Sequence, residues 1–206
     1  MTTSTTVRAR RVADLALEGQ VGWAALELAR FAHPGLEPEP YLDRMTAMAG
    51  RVEGSTHLAL RRVVGIGEGL GGNVDDYDNP DNSFVNRVLD TRRGIPVSLS
   101  VIWMEVGRRA GLEVVGVGIP GHFLVYAARQ LVDPFHYGEA IGFDEAAGLV
   151  ATALGGAPRL DRSWLEPVTD AHTIDRMLRN LDHLYRERGD LHHLEWVTAC
   201  RDELAR

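Results

Sequence analysis

Cysteine is almost missing from this chain. Cys200 stands alone among 206 residues, so no internal disulfide can form, and the composition suits a reducing compartment. Positive charge is in short supply too: 22 Lys and Arg stand against 29 Asp and Glu, for a net charge of −7. Nucleic acids and anionic membrane surfaces are bound through clustered Lys and Arg, so neither is an expected partner. No apolar run approaches the ~20 residues of a membrane span. The opening MTTSTTVRARR lacks the apolar segment of a signal peptide, and the expected location is cytoplasmic. What is present, 45% hydrophobic and 25% charged residues, is ordinary globular composition with enough length to bury a core.

Scaffold helices come first. After a frayed Thr-rich start, Val12 to Phe31 reads as mostly helical and stops at His33-Pro34, because a residue before proline is pushed out of the helical region. Tyr41, Met45, Met48, Ala49 and Val52 recur at helical spacing, which predicts a second helix over 40–53, and a third begins at Leu58. His33 and His57 have no partner pattern and read as surface or capping residues. GEGLGG at 67–72 matches G-x-G-x-x-G in form, but no strand precedes it and an acidic run follows, so it reads as a flexible turn. That run, Asp75 to Asp81, lacks the glycine and distal Glu of a calcium loop. It reads instead as turns leading to an N-cap at Asp81 or Asn82 and a helix over 83–92.

The stretch RRGIPVSLSVIWMEVGRRAGLEVVGVGIPGHFLVYAARQLVDPF, Arg92 to Phe135, is the centre of the chain. Pro96 suits the first turn of a helix, VSLSVIWMEV is apolar nearly all round, and Arg108, Arg109 and Gly111 close it. Ser98 therefore sits at the start of a buried helix, where free N–H groups favour negative charge. It is either a cap or a nucleophile. Leu112 to Ile119 is a β-branched strand, Pro120-Gly121 a turn, His122 opens the strand HFLVYA, and Leu131 to Asp133 is a short strand cut off by Pro134. Neighbouring antiparallel strands can set His122 beside Asp133, giving the order nucleophile, base and orienting acid.

With those motifs on the page, NVDDYDNPDNSFVNRVLDTRRGIPVSLSVIWMEVGRRAGL, GVGIPGHFLV and LVDPFHYG together closely resemble the SirB-type branch of transglutaminase-like proteins, over roughly residues 10–206. The resemblance implies an α+β fold, with a papain/transglutaminase-like core in which a central buried helix packs on a small antiparallel sheet. It also implies N-terminal helices and a C-terminal αα-hairpin of tetratricopeptide-like kind. The expected division is 1–70 N-terminal helical region, 71–160 core and 161–206 helical tail. The family's Cys, His and Asp would fall at Ser98, His122 and Asp133, with Ser typical of this branch. The tail fits, because Ile174, Met177, Leu178, Leu181, Leu184 and Tyr185 make one stripe and, after Gly189, a second runs from Leu191 to Leu204.

Two functions are then expected to compete. In the first, Ser98 attacks a peptide, protein or small amide-like substrate for acyl transfer or hydrolysis. His122 takes its proton, Asp133 holds the imidazole, and the Ser98 N–H with Asn82 or Asn86 holds the oxyanion. A hydroxyl is a poorer nucleophile than a thiolate, which weighs against it. In the second, the chain is a catalytically inactive binding or regulatory module that uses the cleft and meets a protein partner through the tail. A metal hydrolase built on His122, Asp133 and His136 lacks the usual helical His spacing, so no metal and no cofactor are expected. His183, His192 and His193 likewise have no ligand spacing, and Cys200 reads as a small, semi-buried apolar residue.

Overall fold

The computed structural model describes residues 3–156 and 161–206. The fold is α+β. Helices α1 (Thr3–Leu17), α2 (Val21–Ala32), α3 (Glu39–Ala49) and α4 (His57–Arg61) lead in, and α4 runs on into a π-helical turn, Arg62–Gly67. The single helix expected from Val12 is thus two, starting nine residues earlier at Thr3 and broken where Gly19 takes a φ of +77°. Strand β1 (Gly71–Gly72), a 3₁₀ turn at Pro80–Ser83, α5 (Val85–Thr91) and β2 (Arg93–Gly94) precede the central helix α6 (Pro96–Arg109).

GEGLGG is no loose turn. Its last two glycines pair in parallel with Arg93 and Gly94. The glycines are needed there for close approach: a Cβ on Gly71 would overlap the Tyr137 ring, and one on Gly72 the Phe135 ring. The expected cap at Asp81 or Asn82 is also corrected. Asn79 caps the 3₁₀ turn, accepting from the Asp81 N–H, and α5 has Phe84 at its N-cap with no side-chain cap.

Helix α6 is buried on nearly every side, with Leu99, Val101, Ile102, Trp103, Met104 and Val106 all fully inside. It lies against an antiparallel sheet of β3 (Val114–Ile119), β4 (His122–Ala127), β5 (Gln130–Asp133) and β6 (Glu139–Ala140), in that order. Strand alternation splits the sheet's faces. Phe123, Val125 and Val132 join the main core with α6, while Val117, Ile119, Leu124 and Leu131 meet Ala146 and Val150 of α7 (Phe143–Ala153). Pro120 and Gly121, the latter at φ +72°, make the β3–β4 turn. Ala128 and Arg129, at φ 49° and 68°, make the β4–β5 turn with both residues left-handed, a conformation that the strand twist favours in two-residue hairpins.

The C-terminal helices are α8 (Asp170–Glu187) and α9 (Leu191–Leu204), turned at Gly189 with φ +64°. They are fastened to the rest of the molecule. Arg108 of α6 forms a bidentate pair with buried Asp170 at 2.6 and 2.8 Å and donates from Nε to the Val114 carbonyl at 2.9 Å. Glu203 of α9 meets Arg10 of α1 at 3.3 Å. One apolar core runs from Ala9 through Trp103 to Cys200, joining residues of the first, middle and last segments. The expected boundary at residue 160 lies outside the described residues. No helix among those described is long and apolar enough to cross a membrane.

Candidate functional site

Strand pairing carries His122 and Asp133 to the same end of the sheet. Val125 pairs with Val132, which sets Asp133 diagonally across from His122. His122 Nε2 lies 2.9 Å from Asp133 Oδ2, with the imidazole side chain 11% exposed and the carboxylate 2%. Pro134 ends β5 and turns the chain into a short 3₁₀ segment, Pro134–His136, which Asp133 itself caps by accepting from the Phe135 N–H at 2.9 Å through Oδ1. That turn brings His136 Nδ1 to within 2.8 Å of the same Oδ2. Asp133 therefore serves two imidazoles.

Burial pushes the Asp133 carboxyl up, but hydrogen bonding and charge from His122, then from His136, overcome it and hold the group below its usual 3.8. An ionised carboxylate accepts from the Nε2–H of His122, so in the neutral ring Nδ1 is the nitrogen left for a ligand. The Phe135 ring flanks this imidazole edge-on at 6.0 Å, and Tyr77 stands 6.0 Å beyond Phe135. Phe135 in turn lies over Gly72, so the Gly71–Gly72 pairing with β2 is what admits the ring.

Ser98 lies where the sequence put it, in the first turn of α6, but its hydroxyl is fully buried and already engaged. It donates to the Asn82 carbonyl at 2.6 Å, lies 3.1 Å from the Ile95 carbonyl, and accepts from the Ile95 N–H at 3.2 Å. That last bond is a capping interaction, an N3 side chain reaching back to the N-cap backbone. Ile95 has no side-chain oxygen, so only this half of a capping box exists. Among the described residues no hydrogen bond joins Ser98 to His122.

The oxyanion candidates fare differently. Asn82 Nδ2 is spent on the Asp76 and Tyr77 carbonyls at 2.6 and 3.1 Å, and its Oδ1 accepts from Asn73 at 2.9 Å. Asn82 thus builds the loop that carries Tyr77. Asn86 is buried with Oδ1 lacking any partner among the described residues. The structure therefore brings together His122 and Asp133 directly, and Ser98 and Asn82 through a backbone carbonyl. Sequence reasoning named His136 only as a metal ligand, yet its position three residues after Asp133, across the Pro134 turn, was a usable signal for a partner of Asp133. No group of three or more metal-binding side chains occurs among the described residues.

A groove of about 570 Å³ lies elsewhere, between α8 and α9. Charges along it are already paired, Arg179 with Asp175 and Arg186 with Asp182, so it offers a ligand little. Two of the tail histidines are also taken: His193 meets Asp190 at 2.7 Å and His183 meets Glu187 at 3.4 Å. Cys200 is fully buried, beyond the semi-burial expected, and burial followed by the Glu203 charge pushes its thiol up to about 12.

A family model described as the transglutaminase-like superfamily matches residues 37–179, a span that takes in Asn82, Asn86, Ser98, His122, Asp133 and His136. Among curated proteins, a UPF0162 protein of Xylella fastidiosa is 40% identical over 140 residues, covering 65% of this chain and 48% of its own. A UPF0162 protein of Pseudomonas aeruginosa is 31% identical over 119 residues, covering 56% and 44%. F-box only protein 21 of Homo sapiens is 39% identical over 54 residues, covering 26% of this chain and 9% of its own. The chain spans about half the length of the UPF0162 proteins it matches. No solved structure gives a significant match.

Proposed function

Because the chain belongs to the transglutaminase-like superfamily, we propose that it is a catalytically inactive binding module that keeps the superfamily's cleft and holds a peptide or amide-like ligand beside His122. The observation that carries this reading is the state of the Ser98 hydroxyl. Its one proton goes to the Asn82 carbonyl at 2.6 Å, and its surface is fully buried. A nucleophile must present its oxygen to substrate and its proton to a base, and this one does neither. The His122–Asp133 pair has a use without a nucleophile. An imidazole with its tautomer fixed presents one acceptor nitrogen, suited to the N–H of an amide, while Phe135 and Tyr77 offer ring surface to the ligand's apolar part.

The same proposal includes the finer placement in the SirB-type branch, with α8 and α9 as a tetratricopeptide-like tail that meets a protein partner, and a cytoplasmic location. An antiparallel hairpin and a single buried thiol support these. Acyl transfer through Ser98 is the second reading, favoured by the buried His122–Asp133 hydrogen bond. A fluorophosphonate probe tests the choice. We expect no adduct on Ser98 in the folded chain, and a stoichiometric adduct mapped to Ser98 by mass spectrometry would replace the binding module with a serine acyltransferase or hydrolase.

A further inference from the structure

The arginines of the two C-terminal helices are not treated alike. Arg179 is held by Asp175 at 2.7 Å, Arg186 by Asp182 at 2.7 Å, and Arg201 by Asp175 at 3.3 Å. Arg176, half-buried on α8, has no carboxylate within ion-pair distance among the described residues. Its hydrogen bond runs from Nη1 to the Ile119 carbonyl at 3.2 Å. A guanidinium carries five donors, so most of its capacity is unspent. Burial weakens its hold on the proton and the nearby Arg179 cation adds repulsion, with Tyr77 acting the other way. A cation withdrawn from water and left unpaired is costly, and an arriving anion relieves that cost.

Its placement matters as much as its charge. Ile119 pairs with His122 across β3 and β4, so the guanidinium sits at the hairpin end that carries the imidazole. Tyr77 stands 6.0 Å from Phe135, which flanks His122, and is near enough for the Arg176 charge to act on its hydroxyl. At the C-terminal cap of α8, Arg188 donates to the Asp78 carbonyl at 2.8 Å and so pins the loop bearing Tyr77. Arg176 lines a small cavity of about 50 Å³ together with Gly118, Phe123, His172, Asp175 and Arg179. Asp175 in that lining is spent on its two arginines. Among the described residues, Arg176 is therefore the arginine of this lining whose charge no carboxylate meets.

We infer that Arg176 is the specificity residue of the cleft, receiving a carboxylate carried by the peptide ligand, either an acidic side chain or a free C-terminus. The inference rests on the cleft reading above, and adds the charge of what binds. A planar fork matches a carboxylate with two parallel hydrogen bonds, which a neutral amide at the same place cannot return.

The test offers the immobilised full chain synthetic short-peptide pools, acetylated at the N-terminus. One set is C-amidated with a single position fixed as Glu or Gln, and another carries a free or an amidated C-terminus. Retained peptides are counted by mass spectrometry. We expect the Glu or the free-acid pool to be retained roughly 10- to 100-fold over its amide counterpart. Arg176→Gln should abolish that ratio by bringing retention of the acid pools down to that of their amide counterparts, and His122→Ala should lower retention of every pool. Should Arg176→Gln not fold, Arg176→Lys carries the test, since a point charge in place of the fork should cut the ratio severalfold. Equal retention of acid and amide, or a ratio that survives both Arg176 substitutions, overturns the inference and leaves the cleft reading standing. If no pool is retained, both fall together.

Discussion

The Ser98 hydroxyl donates to the Asn82 carbonyl at 2.6 Å, tying the first turn of α6 to the 3₁₀ turn at Pro80–Ser83. This bond and the return bond from the Ile95 N–H make Ser98 a joint between two elements. Ser98→Ala should cost about 1–2 kcal/mol for the lost cap and the lost buried hydrogen bond, the Asn82 carbonyl keeping only its bond from the Ile95 N–H at 3.3 Å. Urea melts would show the loss, while retention of peptide in the cleft should stay at the wild-type level. Binding lost in proportion to stability would mean that the hydroxyl touches the ligand.

Ser98→Cys gives the complementary outcome. A helix N-terminus lowers a thiol pKa, and the sequence alone predicts a reactive thiol there. The oxygen it replaces is fully buried, and burial acts the opposite way. We expect the introduced thiol to resist iodoacetamide in the folded chain. Cys200 should resist as well at pH 8, because a thiol pushed up to about 12 stays protonated there, and both should be alkylated once urea unfolds the chain. Rapid labelling at position 98 with Cys200 untouched would restore the acyl-transfer reading.

Arg108 and Asp170 decide whether the tail is part of the core or an appendage. Asp170 is nearly buried and takes both ends of the guanidinium, whose side chain is 32% exposed. Solvent reaching the arginine trims the value of the pair, so Asp170→Asn should cost about 1–3 kcal/mol. The useful readout is cooperativity. Tryptophan fluorescence, with Trp103 in α6 and Trp196 in α9, should show one unfolding transition in wild type. A tail that unfolds separately in wild type would contradict the continuous core described above.

Gly72 is the small residue that admits the Phe135 ring beside β1. A Cβ there meets the Phe135 ring, so Gly72→Ala must push the ring away from β1, at a cost of about 1–3 kcal/mol. Phe135 flanks His122, so the imidazole proton shifts should move with the ring current. Unchanged His122 shifts together with unchanged stability would show that the ring is free to relocate.

Much of this arrangement was legible in the residues, and the reasons are local. A helix apolar on all sides, a Pro at its start and Gly after its end identify α6, and β-branched alternation with Pro120-Gly121 identifies the hairpin that carries His122. The pairing of Gly71 and Gly72 with β2 was not legible, since glycine has no side chain to show a pattern, and its cause is two rings more than sixty residues on. The break at Gly19 was hidden because Ala and Leu dominate both sides of it. The engagement of Ser98 was hidden for a different reason. A cap and a nucleophile need the same residue at the same helix position, and only the Asn82 carbonyl, sixteen residues away, separates them.

Asp133 offers the sharpest test of the site. Its carboxyl is held below the usual 3.8 because His122 and His136 together outweigh burial. A group whose pKa falls on folding contributes stability that is complete above the unfolded value and is lost as pH drops through the folded one. Asp133→Asn should therefore be less stable than wild type at pH 7, by about 1.5–3 kcal/mol for hydrogen bonds to a buried charge. That difference should shrink as pH falls below the ordinary 3.8, since wild type then surrenders the same charge. Urea midpoints at pH 7, 5 and 3 measure it. In parallel, nitrogen-detected NMR of the His122 ring should find its proton on Nε2 in wild type and a mixture of tautomers in the variant, because the amide can donate as well as accept and no longer selects one tautomer. A stability difference that stays constant down to pH 3, with the tautomer unchanged, would show that Asp133 neither holds His122 nor orders the end of β5 through its charge.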